Sequence, residues 1–236
     1  LLLNLFLKNN TYFVFQNNDD LILFKKYGIL KNIYSRIIRG SGVDTKIFNT
    51  SSKKKIYDLV FHSRILKDKG IFELIDALRI LKSKGIFLNT LILGSPDLKN
   101  RSSIQTIKLE KWQKENLIIW KKRKNNVIPF LQASKISILP SYREGFPKSL
   151  LESASCGLPI ITSNVPGCKE ICIHRHNGLL AKSKDAKSIS EAIQDLIENP
   201  LLLKQYGRNG RILVEKNFST KKISNDFILL YEELLK

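Results

Sequence analysis

Apolar residues in this chain alternate between two rhythms from about residue 56 onward. Short apolar runs bounded by turn residues predict buried strands at Ile56–His62, Leu88–Gly94, Leu117–Trp120, Lys135–Leu139 and Leu158–Thr162. A last edge strand, Asn177–Ala181, is entered through an Asn-Gly turn. Between these runs the apolar positions recur at three and four. After Gly70, the set Ile71, Leu74, Ile75, Leu78 and Leu81 makes one helix face, and a polar stretch around 101–115 reads as another helix. Strand–helix alternation at this spacing implies an α/β fold with a doubly wound, Rossmann-like parallel sheet flanked by helices. Ligands of such sheets sit at the carboxyl ends of the strands.

The C-terminus is helical. Ala186–Glu198 carries Ile189, Ala192, Ile193 and Leu196 on one face and stops at Asn199-Pro200; two more helical patterns cover about 201–216 and 219–235. The first 50 residues read differently. Tyr12–Phe15 is a strand candidate, Asn18-Asp19 could cap a short helix, and Gly40-Ser-Gly-Val-Asp44 is a turn-rich boundary. The Ser/Lys-rich stretch 50–55 reads as a linker or exposed loop. The expected division is therefore 1–45 and 46–236.

Composition adds one unusual feature. A hydrophobic share of 43% and 236 residues are enough for one large α/β domain, or one domain and part of another. Forty Lys+Arg against 21 Asp+Glu leave a net charge of +19, which suits polyanions: nucleic acid, anionic lipid or phosphorylated substrates. Nucleic acid is the least favoured, because basic and aromatic residues do not interleave and no nucleic-acid module is present. Cys156, Cys168 and Cys172 make no disulfide framework, so reduced thiols and a cytoplasmic setting are expected. No apolar run approaches a membrane span, and no basic segment precedes Leu1–Leu7 as it would in a signal peptide. A chain that starts at Leu and contains no Met is expected to be a fragment.

Two segments carry candidate chemistry. Arg64-Ile-Leu-Lys-Asp-Lys-Gly70 lies where a strand gives way to a helix, so its cations fall at the sheet's carboxyl edge. Arg64 can hold a phosphate bidentately and Lys69 supplies a point charge, although two loop cations are more often plain surface. In the second segment, Glu144-Gly-Phe-Pro147 follows a strand, and a helix is expected from Pro147. Gly145 permits close backbone approach, and the first-turn amides from Lys148 through Ser149 to Leu150 are free to meet an anion or hydroxyls. Glu152, inside that helix among small and apolar residues, either caps something structural or accepts from a polyol; paired glycosidase carboxylates would fit as well. Blander readings suffice elsewhere. His174 and His176 read as loop rather than metal ligands, His62 as a core or edge residue, Cys156 as a buried filler, and Trp112 and Trp120 as packing.

The order of motifs is more specific than any one of them. Arg64 with Lys69, Ser141-Tyr-Arg-Glu-Gly-Phe-Pro147, Leu151–Ile161, Pro166-Gly-Cys-Lys-Glu170 and Asn177-Gly-Leu-Leu180 together resemble glycosyltransferase family 4, a GT-B group of retaining enzymes. The likeness runs from about Phe15 to the C-terminus, with Gly40–Asp44 resembling the interdomain turn. It implies the C-terminal half of a GT-B fold: a nucleotide-sugar-binding domain, with residues 1–45 as a remnant of the N-terminal acceptor domain.

The resemblance also implies roles. Arg64 and Lys69 would grip the donor diphosphate, Glu144 would contact donor sugar hydroxyls, and the backbone of Gly145, Phe146, Pro147 and Lys148 would approach sugar and phosphate. Glu152 would bind the ribose hydroxyls. No metal or cofactor is implied. The expected substrates are a nucleotide sugar, such as a UDP-sugar, and a glycan or polyprenyl-diphosphate-linked acceptor, as in bacterial capsule or lipopolysaccharide synthesis. The basic surface would suit peripheral association with the inner face of the plasma membrane. Two departures stand out. Lys121-Lys-Arg-Lys124 fills a loop where the family usually has a Gly near the donor base, and no glycine-rich loop precedes the boundary turn. The chain alone is thus expected to bind donor weakly and transfer no sugar, which keeps a non-catalytic nucleotide-sugar-binding module open as an alternative.

Overall fold

The computed structural model describes residues 11–30 and 33–235, so the apolar run at 1–7 lies outside the described residues. Two sheets are present among them. The small one pairs β1 (Tyr12–Phe15) with β2 (Tyr34–Ile37) in parallel, joined through helix α1 (Asn18–Lys26). Asn17, not Asn18-Asp19, caps this helix: its side chain accepts from the Asp20 amide at 2.8 Å.

The larger sheet is six-stranded, all parallel, in the order β5-β4-β3-β6-β7-β8. Its elements are β3 (Tyr57–His62), α2 (Ile71–Ser83), β4 (Thr90–Leu93), α3 (Thr106–Lys114), β5 (Ile119–Lys121), α4 (Ile128–Gln132), β6 (Ser134–Leu139), α5 (Lys148–Ser155), β7 (Ile160–Ser163), α6 (Cys168–Ile171) and β8 (Gly178–Ala181). Every residue of β4 is buried, as are Leu59, Val60 and Phe61 of β3, which is the pattern of a parallel sheet covered on both faces. The expected strands therefore form, with shifted ends. The sequence run 117–120 becomes a strand at Ile119–Lys121, because Leu117 and Ile118 are drawn into the core before the chain joins β4.

The predicted face of α2 is buried throughout, and α2 packs against α7 (Ala186–Glu198). Trp112 is buried edge-on against Phe72, and Cys156 is buried, so both fill space as read from the sequence. Helix α8 (Pro200–Asn217) lies against α5, after which α9 (Thr220–Leu234) crosses to the small sheet. There Ile223 and Leu230 bury against Ile38, and Arg36 pairs with Glu233 at 2.8 Å. No helix among the described residues is long and apolar enough to cross a membrane.

Arg211 of α8 ties the chain entering the large sheet to that sheet's helices. Its guanidinium donates to the carbonyls of Phe48 and Ser155, both at 2.6 Å, and of Thr45 at 2.8 Å. Replacing it by Ala removes a donor from all three carbonyls, of which Phe48 O keeps only Ser155 Oγ, and Lys has one ammonium in place of a planar fork. Arg211→Ala is expected to cost about 2–4 kcal/mol in urea unfolding, with Arg211→Lys recovering only a minor part. An unchanged midpoint for the alanine variant would show that the linker is held by other contacts.

Candidate functional site

The β3 exit loop and the β6 exit loop meet at the carboxyl edge of the sheet, since β3 and β6 are adjacent strands. Their approach is very close: a Cβ on Gly70 would lie 2.0 Å from the Pro140 carbonyl oxygen, and Gly70 has φ +72°. Any side chain there would force the loops apart. The Tyr142 amide donates to Asp68 O at 2.9 Å, and its hydroxyl to Glu73 Oε1 at 2.6 Å. Burial and that neighbouring carboxylate push the Tyr142 phenol well above its ordinary range, so it stays a neutral donor.

This junction brings two of the expected residues together. Lys69 Nζ lies 2.5 Å from Glu144 Oε1, which also accepts from Ser141 Oγ at 2.7 Å. The side chains are 15% and 12% exposed, so Lys69 is a fixed partner of Glu144 rather than a mobile loop charge. Glu144 is further held through its backbone, its amide donating to Pro166 O at 3.3 Å. Gly167 makes room for this, because a Cβ there would meet the Glu144 and Gly145 carbonyls at 2.4 and 2.6 Å. From the other side, Asn17 Nδ2 donates to Gly145 O at 3.0 Å.

At the same sheet edge opens a cleft of about 730 Å³, ample for a nucleoside diphosphate, whose lining does not include Lys69 or Glu144. Arg64, Lys148, Ser149 and Glu152 line it, as do His62, Asp97, Arg123 and Lys124. Arg64 is more than half exposed and pairs with Asp97 at 3.2 Å, so an incoming anion would compete for it with a carboxylate. Glu152 is mostly buried, and loss of hydration raises its carboxyl above the usual range despite the attraction of Lys148.

The structure corrects two expectations here, the helix start and the free amide at Leu150. Pro147 is the residue before the helix, with extended ψ of 107°, and α5 begins at Lys148. The Leu150 amide is not free: it donates to Pro147 O at 3.1 Å, while the Leu150 side chain is fully buried. Phe146 turns its ring into the core, edge-on to Phe218 with centroids 5.1 Å apart, so its side chain serves packing. Trp120 behaves as read, its indole N–H donating to Gly94 O at 3.0 Å. His174 likewise stays in its loop, Nδ1 accepting from the Leu180 amide at 3.0 Å.

The residue missed by the sequence reading is His62. Last in β3, it points into the cleft, with Nε2 3.6 Å from Glu152 Oε2. Burial pushes its ring down to about 4, so it is neutral at physiological pH. The available signal was its place at the carboxyl end of a predicted strand, where side chains face the ligand edge.

A parallel sheet with a largely basic cleft and two glutamates at its carboxyl edge defines an α/β protein of doubly wound type. The chain belongs to the glycosyl transferases group 1 family, whose model matches residues 43–213. It is 34% identical over 173 residues to the capsular polysaccharide biosynthesis glycosyltransferase CapM of Staphylococcus aureus, covering 73% of this chain and 45% of that protein. Over 116 residues it is 34% identical to the N,N'-diacetylbacillosaminyl-diphospho-undecaprenol alpha-1,3-N-acetylgalactosaminyltransferase of Campylobacter jejuni, covering 48% of this chain and 30% of that enzyme. The chain thus spans less than half the length of these relatives. Among solved structures, sucrose-phosphate synthase from Thermosynechococcus elongatus superposes with a TM-score of 0.83 at 23% identity, over 95% of this chain and 58% of that one. Anabaena HepE in complex with UDP and glucose gives 0.80 at 17% identity, over 93% and 62%. These two likenesses establish the shared fold.

The His62 ring makes a prediction about pH. Its folded value, about 4, lies below the ordinary 6.5, so between those values the unfolded chain binds a proton that the folded chain refuses. Stability from this group is intact above about pH 6.5 and is lost as pH falls, by up to about 1.4 kcal/mol per unit. Glu152, shifted the other way, opposes this only near and just above the ordinary carboxyl range. His62→Gln should therefore gain melting temperature relative to the wild type as pH drops from about 7.5 to 5. A difference that stays constant over this range would contradict a neutral buried imidazole.

Proposed function

We propose that this chain is the donor-binding half of a retaining glycosyltransferase, which moves a hexose or N-acetylhexosamine from a nucleotide-diphosphate sugar to a glycan or lipid-linked acceptor. In this reading residues 46–236 bind the donor, and residues 1–45 belong with an acceptor-binding domain. The observation that carries it is the cleft at the strands' carboxyl edge, with Arg64 and Lys148 as cations and Glu152 as a carboxylate on its wall. Relatives named as transferases of N-acetylgalactosamine and as capsule glycosyltransferases support the substrate class, and a structural neighbour holding UDP and glucose supports a UDP-sugar donor.

The geometry is compatible with a set of roles in this reading. The diphosphate lies by Arg64 and the free amides of Lys148 and Ser149 at the start of α5, which offer donors and a positive helix end. The donor sugar reaches Glu144, whose Oε1 is already taken by Lys69 and Ser141, leaving Oε2 for sugar hydroxyls. Ribose hydroxyls meet Glu152 deeper in the cleft. As the bond from the sugar to phosphate breaks, negative charge grows on the departing diphosphate, and fixed cations stabilise it. Bound geometry supplies the rest of the rate by holding acceptor hydroxyl and donor carbon together. Cationic side chains thus carry the charge that a resident metal would carry elsewhere, and no cofactor is assigned. The net charge of +19 fits a peripheral position on an anionic cytoplasmic membrane face, where each basic residue near the surface contributes about 1 kcal/mol.

Titration calorimetry with UDP, GDP and ADP tests the reading. One nucleotide is expected to bind, with Arg64→Ala and Glu152→Ala each weakening it about tenfold or more through loss of a charge-assisted hydrogen bond. Tight binding to duplex DNA, unaffected by Arg64→Ala, together with no nucleotide binding, would overturn it.

A further inference from the structure

We propose that His62 is a positioning residue for ribose recognition, holding one oxygen of Glu152 so that the other faces the bound nucleotide. This rests on the donor-binding reading above and goes beyond it, because it adds a residue and a selectivity that the motif residues do not supply.

The geometry leaves the imidazole little else to do. Its Nδ1 is buried and meets no hydrogen-bond partner, so the ring is poorly satisfied as a packing element. Its Nε2 faces Glu152 Oε2 at 3.6 Å, slightly beyond hydrogen-bond length, and a small side-chain rotation closes that gap. Neutral imidazole has a single N–H, and a facing carboxylate draws that proton to Nε2. Nε2–H then donates to Oε2, while Oε1 is left for the cleft. A ribose diol offers hydroxyl donors, so it needs this carboxylate ionised and correctly turned.

Both conditions are under strain at Glu152. Burial strips its carboxyl of hydration, and its neighbours on α5, Leu151 and Ala154, are themselves buried. The charged side chains that line the cleft with it come from different elements: Lys148 one turn earlier on α5, Arg64 after β3, Asp97 after β4, and Arg123 with Lys124 after β5. Lys148 attracts Glu152, but as a flexible ammonium it does not fix which oxygen points where. A donor on the rigid end of β3 does. Removing it leaves a desolvated carboxylate that takes up a proton more readily, and a protonated Glu152 offers a donor where the diol needs an acceptor.

The test compares dissociation constants for UDP and 2′,3′-dideoxy-UDP in the wild type and three variants. The wild type should favour the ribose form by about tenfold or more, one charge-assisted hydrogen bond's worth. His62→Ala should weaken UDP toward the dideoxy value and leave the dideoxy value unchanged. His62→Gln, whose side-chain amide reaches a similar point with an N–H, should restore most of the preference. His62→Leu, which fills the site without a donor, should behave like the alanine variant and serves if alanine unfolds the chain. Equal weakening of both ligands, or an undiminished preference in the alanine and leucine variants, overturns the proposal. If wild type binds neither UDP, GDP nor ADP, the donor reading itself fails and the inference falls with it. If wild type binds UDP without ribose preference, the donor reading stands and only the inference is lost.

Discussion

Everything at this site depends on how closely two loops can approach at the edge of a parallel sheet. The β3 and β6 exits touch backbone to backbone at Gly70 and Pro140, a contact that no residue with a Cβ could make without displacement. Once that contact exists, Lys69 and Glu144 have almost nowhere to go but toward each other. Ser141 and the Glu144 amide then fix the carboxylate on the remaining sides. A pair so enclosed is costly to break, since either partner alone would be a buried charge. The structure therefore holds the Glu144 carboxylate in a preset orientation.

The second glutamate is organised on a different principle. Glu144 is held by donors, whereas Glu152 is largely desolvated, attracted by Lys148 and faced by a neutral imidazole. Two carboxylates eight residues apart thus acquire different electrostatic characters. One is a locked anion paired with an ammonium; the other is an anion whose charge is held at a cost. Such a division gives neighbouring carboxylates different chemistry at one sheet edge.

Much of this was legible in the sequence, and the parts that were not share a cause. The α2 face from Ile71 to Leu81 and the core of β3 follow from period and apolarity alone, because burial on a sheet imposes both. The motif order placed Arg64, Lys69, Glu144 and Glu152 in one neighbourhood, and the structure brings all four to the carboxyl edge of adjacent strands. What period cannot reveal is pairing across the fold. His62 reads as one more strand residue until β6 and α5 put Glu152 opposite it. Arg211 carries no signal in its helix of the distant carbonyls of Thr45 and Phe48 that come within its reach. Short elements such as α6, four residues long, have too little sequence to show any rhythm. The expected free amide at Leu150 failed for a local reason: the first helical turn closes on Pro147 O.

The junction at Val43 has a topological consequence. Its amide donates to Phe218 O at 3.0 Å and its carbonyl accepts from the Thr220 amide at 3.0 Å, so the chain enters and leaves the six-stranded unit at one point. Residues between those positions form a cassette whose two ends touch. A cassette of that kind can be excised, inserted elsewhere or exchanged between related chains without stretching either connection. The same point is where strain between the cassette and the small β1–β2 unit would concentrate, as two strands of backbone cross there side by side. In engineering terms, the six-stranded unit is a cartridge on a two-wire socket.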